Sequence, residues 1–225
     1  MESQKVIVIG AGGHAREIHA YVADLARAGW DGELVGFLDD GLLPGLHNGL
    51  NVLGGVDSFS VLAEGNGSYL TAVGDNAARR RLVKRIETLT GGSARPWTLI
   101  HPRAHLGVNV QVGEGSCLAP GFLGTVNVTI GKHSILNVKA SVSHDCVIGD
   151  FANINPAATI CGNVRIGEGV YIGAGAVVKE KISIGAWSVI GAGALVIHDI
   201  PPNVTAIGVP ARIIKRHELT LRSAG

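Results

Sequence analysis

Apolar residues recur every six positions from Ile100 to Val196. The series runs Leu106, Val112, Leu118, Gly124, Ile130, Leu136, Val142, Ile148, Ile154, Ile160, Ile166, Ile172, Val178, Ile184, Ile190, and only Gly124 interrupts it, without shifting the phase. Four residues after these positions the side chains are mostly small: Ser134, Ala140, Cys146, Ala152, Ala158, Ala176, Ser188 and Ala194. A helix repeats every 3.6 residues and a plain strand every two, so neither produces this period. A chain that makes a short strand, turns a corner and begins again does. Three such faces close one coil, and stacked coils bury the aliphatic column, so the pattern predicts a left-handed parallel β-helix of hexapeptide repeats. Rungs about 4.8 Å apart would make a prism roughly 25 Å long, filled by its own side chains. Chemistry then belongs on outward-facing residues, or between prisms packed side by side.

The pattern is different before Ile100. Lys5 to Ile9 reads as a buried parallel strand, entering the glycine-rich turn Gly10–His14 and a helix over Ala15 to Ala28. Such a turn presents backbone N–H groups to an anion. It resembles the dinucleotide fingerprint with Ala15 in place of the last glycine, and a merely tight strand-to-helix turn explains it nearly as well. Further strands are expected at Glu33 to Leu38, Val52 to Leu53 and Ser68 to Val73, with helices at Asp57 to Ala63 and Ala77 to Leu89. Alternation of strand and helix predicts a small parallel sheet, a Rossmann-like half, over residues 1–94. Gly91-Gly92-Ser93 is the linker signal, and residues 95–225 hold the solenoid and a short C-terminal helix expected over Ile213 to Arg222. Pro201-Pro202 should end the ladder, since proline donates no hydrogen bond to another rung.

A formal net charge of +1 and only 16% charged residues give no broad pull toward nucleic acid or a membrane surface. No apolar run approaches a membrane span, and the N-terminus has no signal-peptide pattern, so a cytoplasmic location is expected. The three cysteines, Cys117, Cys146 and Cys161, lack metal-type spacing and suit a reducing compartment; no metal site is expected.

Candidate chemistry is sparse. Asp39-Asp40 closes the second strand, where a carboxylate meets a ribose or sugar hydroxyl or simply sits in a solvated loop. The basic run Arg79-Arg80-Arg81, with Lys84 and Arg85, reads as a solvated helix face, with one arginine reaching a phosphate as the sharper alternative. His144-Asp145 stands out: His144 lies two residues past the inward Val142 and should point outward, with a carboxylate beside it to raise its basicity. On spacing alone an exposed turn histidine is the alternative for His144, and it is the reading of His105 and His133; Cys146, whose hexad position points inward, reads as a poor nucleophile.

Taken together, GAGGH at Gly10 to His14, FLDD at Phe37 to Asp40, GDNAARR at Gly74 to Arg80, HDCVIGD at His144 to Asp150 and GVPAR at Gly208 to Arg212 resemble hexapeptide-repeat sugar O- and N-acetyltransferases of the NeuD/PglD-like branch. The resemblance implies acetyl-CoA as co-substrate, His144 as catalytic base and Asp145 as its acidic partner. It implies acetyl-CoA contacts at Gly162, Ala174 and Ala192, and a further one at Asn153, where the family usually has a histidine; an asparagine amide donates there without positive charge. Nucleotide-sugar contacts fall on Gly12, Gly13, His14, Asp39, Asp40 and Gly74. It also implies a homotrimer with active sites between subunits, a role in glycan biosynthesis, and N-acetylation of a UDP-, GDP- or dTDP-linked 4-amino sugar. O-acetylation of a sugar of sialic-acid type, and a sugar-binding solenoid without catalysis, are the alternatives.

Overall fold

A computed structural model of the chain describes residues 4–62 and 67–217. The chain divides into two compact units, Met1–Pro102 and Arg103–Gly225.

In the first unit, strand β1 (Lys5–Ile9) is fully buried after its first residue, as a central strand covered on both faces must be. Helix α1 (Gly13–Arg27) follows, then β2 (Glu33–Leu38), β3 (Gly45–His47), β4 (Leu50–Gly54), α2 (Phe59–Leu62), β5 (Ser68–Thr71), α3 (Asn76–Leu89) and β6 (Arg95–Pro96). The strand order is β3-β4-β2-β1-β5-β6, so β1 lies between β2 and β5 and pairs with both in parallel. The chain moves outward from β1 to one side through β2 and to the other through β5. That reversal makes a crevice beyond the carboxyl ends of the three strands, where open α/β sheets take ligands. The sheet is mixed rather than wholly parallel, because β3 pairs antiparallel with β4. A hairpin turn at Asn48-Gly49, both residues with positive φ, folds this edge strand back; an Asn-Gly pair is the sequence signal for such a turn. The helix expected from Asp57 begins as a 3-10 turn, Val56–Ser58, continues as α2, and its expected end at Ala63 lies outside the described residues.

In the second unit the period of six is realised as two-residue strands stacked in three parallel ladders. One face carries Cys117–Leu118, Ile135–Leu136, Asn153–Ile154, Tyr171–Ile172 and Val189–Ile190. The second runs from His105–Leu106 through Ser141–Val142 to Leu195–Val196, and the third from Gln111–Val112 through Val147–Ile148 to Ser183–Ile184. The hexad residues from Leu118 onward form one continuous buried core. At Gly124 the missing side chain is replaced by the fully buried Phe122, whose Cε1 lies 3.3 Å from where a Gly124 Cβ would stand.

The corners obey a rule that the hydrophobic pattern does not reveal. Every sixth residue from Asn109 to Gly193 is left-handed, with φ between 53° and 75°. Asparagine, aspartate and glycine accept that conformation readily, whereas a bulky residue incurs about 1–2 kcal/mol. Phe151 and Trp187 nevertheless occupy such corners. Phe151 stacks on His133 with ring centroids 5.2 Å apart, and the Trp187 ring covers Gly169, where no Cβ would fit. Stacking therefore offsets the torsional cost. It also buries His133, which is not an exposed turn residue.

The C-terminal end departs from expectation twice. Pro201-Pro202 does not end the ladder: Ile200 still bridges Ile184, and Val204–Ile207 adds a strand beside Val189–Ile190. A proline carbonyl still accepts, as Pro201 does from Ser188 Oγ at 2.7 Å. The segment expected to start a helix at Ile213 is instead a strand, Arg212–Arg216, antiparallel to Val204–Ile207. The β-branched pair Ile213-Ile214 suits a strand, and the open edge of Val204–Ile207 supplies partners that an isolated short helix lacks. The remainder of the expected helix, from 218 on, lies outside the described residues.

Candidate active site

Two groups of candidate residues emerge, one in each unit. In the first, the structure brings all six expected residues to the carboxyl ends of β1, β2 and β5. Gly12 is the N-cap of α1 and contributes no side-chain cap, so the N–H groups of the first turn remain open to a ligand. A Cβ built on Gly12 or Gly74 meets nothing within 4 Å, and one on Gly13 touches only an arginine tip. Packing within the protein therefore does not demand glycine at these three positions, and the space beside them is open. Asp39 fastens the loop: its Oδ2 accepts from Ala11 N and its Oδ1 from Gly41 N, both at 2.8 Å. His14 is largely buried, its Nδ1 2.9 Å from Glu17 Oε2, while its Nε2 is buried without a partner among the described residues. The His14 hydrogen bond holds the Glu17 carboxyl below its usual range. Buried polar atoms are normally hydrogen-bonded, which makes this nitrogen a candidate ligand contact.

Asp40 is already engaged. Its Oδ1 accepts from Val56 N at 2.9 Å and its Oδ2 from Arg85 at 2.6 Å, and Arg85 also grips Asp57 at 2.7 Å. The Arg85 hydrogen bond holds the Asp40 carboxyl low.

The basic run of α3 is not one solvated face. Asp75 caps the helix, accepting from Ala78 N at 2.7 Å, and the buried stripe is Asn76, Arg79, Val83 and Ile86. Arg79 is fully buried; its guanidinium donates to Val73 O at 2.8 Å and to Asn76 Oδ1 at 3.1 Å, beneath the turn that carries Gly74. The helical spacing of Arg79 with Val83 and Ile86 was the signal that placed it on the core side.

In the solenoid, His144 and Asp145 turn the corner between the second and third faces, and both are about half exposed. His144 Nδ1 and Asp145 Oδ2 are 2.8 Å apart. A carboxylate only accepts, so this contact puts a proton on Nδ1 and leaves Nε2 as the basic nitrogen. Asp145 Oδ1 accepts from Asn127 Nδ2 at 3.0 Å. The Asn127 bond, followed by the His144 bond, holds the Asp145 carboxyl below its ordinary range.

Gly162 stands one coil above His144. A Cβ there would lie 2.5 Å from both Cε1 and Nε2 of the imidazole, so glycine at this position makes room for the His144 ring. Cys146 is buried and its thiol is pushed up by burial, which leaves it a poor nucleophile.

The other expected contacts are not brought to His144 within one chain. Asn153 sits in a strand of the first face, only 4% exposed. Ala174 and Ala192 are exposed at the corner between the first and second faces. Their amide N–H groups take no part in the ladder's backbone bonds. Among the described residues no group of three or more His, Cys, Asp and Glu is placed to hold a metal ion. No described helix is long and apolar enough to cross a membrane.

A nucleotide-type crevice on one unit and an outward His–Asp pair on a hexapeptide solenoid define a class, the left-handed β-helix acyltransferases. Residues 5–86 match the PglD N-terminal domain, and residues 145–180 and 163–198 match the bacterial transferase hexapeptide repeats. No curated protein matches the sequence. Among solved structures, the acetyltransferase domain of PglB from Neisseria gonorrhoeae is 31% identical, with a TM-score of 0.85 over 94% of this chain and 100% of that one. Perosamine N-acetyltransferase from Caulobacter crescentus, solved with CoA and GDP-perosamine, is 31% identical, with a TM-score of 0.84 over 94% and 97% of the two chains. WeeI from Acinetobacter baumannii is 32% identical, with a TM-score of 0.82 over 94% and 100%. The chain belongs to the PglD-like family of hexapeptide-repeat sugar acetyltransferases.

Proposed function

We propose that the protein transfers the acetyl group of acetyl-CoA to the amine of a nucleotide-linked amino sugar, with His144 as general base. The observation that carries this reading is the outward His144–Asp145 pair, hydrogen-bonded at 2.8 Å through Nδ1, with the imidazole lying against Gly162 of the coil above. Nε2 of His144 takes the proton as the amine nitrogen attacks the thioester carbonyl. The C–N bond forms, the tetrahedral oxyanion collapses, the C–S bond breaks, and the thiolate recovers the proton from the imidazolium. Asp145 stabilises that imidazolium. The open amides of Ala174 and Ala192 suit the donor's polar groups, and an Asn153 contact to the acyl group would be made by an uncharged amide.

The first unit takes the nucleotide end in this reading. Its open helix terminus, its Gly12, Gly13 and Gly74 cradle and the unpartnered Nε2 of His14 suit a diphosphate and its sugar, and Asp39 and Asp40 suit hydroxyl or base donors. The solved relative with GDP-perosamine supports this substrate class. In this reading the protein is a homotrimer. His144 and the Ala174–Ala192 column occupy different corners of one prism, and a neighbouring copy can bring the second corner to the first. No disulfide joins Cys117, Cys146 and Cys161, which suits a reducing compartment, and in this reading the protein is a cytoplasmic enzyme of glycan biosynthesis.

Purified protein mixed with acetyl-CoA and a panel of UDP-, GDP- and dTDP-linked amino sugars should release thiol with one of them. His144→Ala should lower turnover by about 10²–10⁴-fold with the fold intact by circular dichroism. Near-normal turnover by the variant would overturn the base assignment. Release only with hydroxyl sugars would move the assignment to O-acetylation, and silence on every acceptor would leave a sugar-binding solenoid.

A further inference from the structure

Below His144 the corner column continues as a chain of side-chain hydrogen bonds. Asn109 Nδ2 donates to Asn127 Oδ1 at 3.1 Å, and Asn127 Nδ2 donates to Asp145 Oδ1 at 3.0 Å, each step spanning eighteen residues, one coil. The three residues share left-handed torsions, with φ of 57°, 54° and 60°, so their side chains leave the corner in the same direction. The polarity of this chain is fixed by chemistry. A carboxylate has no proton to give, so the group Asn127 turns toward it must be the amide NH₂. Its carbonyl oxygen then faces down the column and must receive the NH₂ of Asn109.

Asp145 is 46% exposed and His144 54% exposed, so packing alone does not hold this pair. A carboxylate turns readily about its last torsion, and a rotated Asp145 would abandon Nδ1. We infer that Asn127 is a positioning residue for the reaction: by holding one carboxylate oxygen of Asp145 it aims the other at His144 Nδ1 and keeps Nε2 unprotonated and outward. Asn109 supports it from one coil further down, with a smaller effect of the same sign. This inference rests on the reading of His144 as the base.

The surroundings of His144 keep the test simple. Val126 and Asn127 lie in the coil below, and Cys161, Gly162 and Asn163 in the coil above. Asp145, Cys146 and Cys161 lie beside it, the exposed Lys179–Glu180 pair and Lys181 lie one coil beyond Gly162, and the buried Cys146 thiol is pushed up, which keeps it neutral at working pH. Asp145 is thus the one charged neighbour whose orientation Asn127 controls.

Asn127→Gly removes the amide while keeping a residue at ease in the left-handed corner. Turnover should fall about fivefold with both KM values unchanged, the order expected for losing one hydrogen bond to a charged group near solvent. The acid limb of the kcat/KM profile should move to lower pH, because an imidazole that loses an aimed carboxylate is less easily protonated. The same downward shift should appear in the His144 titration followed by NMR of ¹³C-labelled histidine, which needs no turnover. In an Asp145→Ala background, Asn127→Gly should change nothing further. An equal loss in both backgrounds, or an unmoved His144 titration, would overturn the inference. Full activity of His144→Ala would instead sink the base assignment, and the NMR titration would still decide whether Asn127 aims the pair.

Discussion

The two candidate sites are built in opposite ways. In the first unit, the candidate residues are tied down by contacts between distant parts of the sequence: Asp39 reaches Ala11 across 28 residues, and Arg85 reaches Asp40 across 45. In the solenoid the neighbours of His144 are its own sequence partner, Asp145, and residues one coil away, Asn127 and Gly162. A crevice at the end of a sheet is assembled by tertiary packing, whereas a solenoid site is assembled by phase. The first should therefore fail through stability and the second through geometry, with little unfolding.

Gly162→Ala gives the sharpest break on the solenoid side. The new methyl would occupy the space of the imidazole edge, and displacing a catalytic group by about 1 Å costs on the order of 10²-fold. Turnover should fall by that order while the melting temperature and the circular dichroism spectrum barely change. A variant that kept full turnover would show that the imidazole has room to spare. Arg79→Met is the counterpart in the first unit. It leaves Val73 O and Asn76 Oδ1 without their donor, about 1–3 kcal/mol for a buried acceptor, so a lower melting temperature and a raised KM for the nucleotide sugar are expected, with kcat little changed. A fall confined to kcat would contradict the division of labour.

The smallest effect belongs to Arg85. Its links to Asp40 and Asp57 are largely exposed, so Arg85→Met should cost under about 1 kcal/mol. Asp40's carboxyl is held below its unfolded value, so the link stabilises fully above about pH 4 and is lost as pH falls through the lowered folded value. The difference in melting temperature between wild type and Arg85→Met should therefore be present at neutral pH and shrink toward nothing in strong acid. A difference that persisted there would mean that Arg85 acts through packing.

What the sequence disclosed follows the same divide. The solenoid, its phase and the outward aim of His144 were legible because one short period dictates every position. Gly162 was named from the family resemblance, and three hexads per coil already place it one coil past His144, but its clearance for the imidazole depends on the His144 rotamer, which no period gives. Asn127 was within reach of the same arithmetic, one coil back from Asp145, but its hydrogen bond to the carboxylate was not. In the first unit the strand-end motifs could be read. The burial of Arg79 could have been inferred from its spacing with Val83 and Ile86, yet a run of three arginines suggests solvent. The strand at Arg212–Arg216 was unreadable locally, because its reason for being extended is the open edge of Val204–Ile207.

The left-handed corner at every sixth residue has a consequence for how such a chain tolerates change in length. A single residue gained or lost inside a strand would place a core side chain where a corner is due and turn every later outward group, His144 included, onto another face. The solenoid thus reads like a text with a fixed frame: additions survive as whole coils, or as loops that leave and rejoin at the same corner.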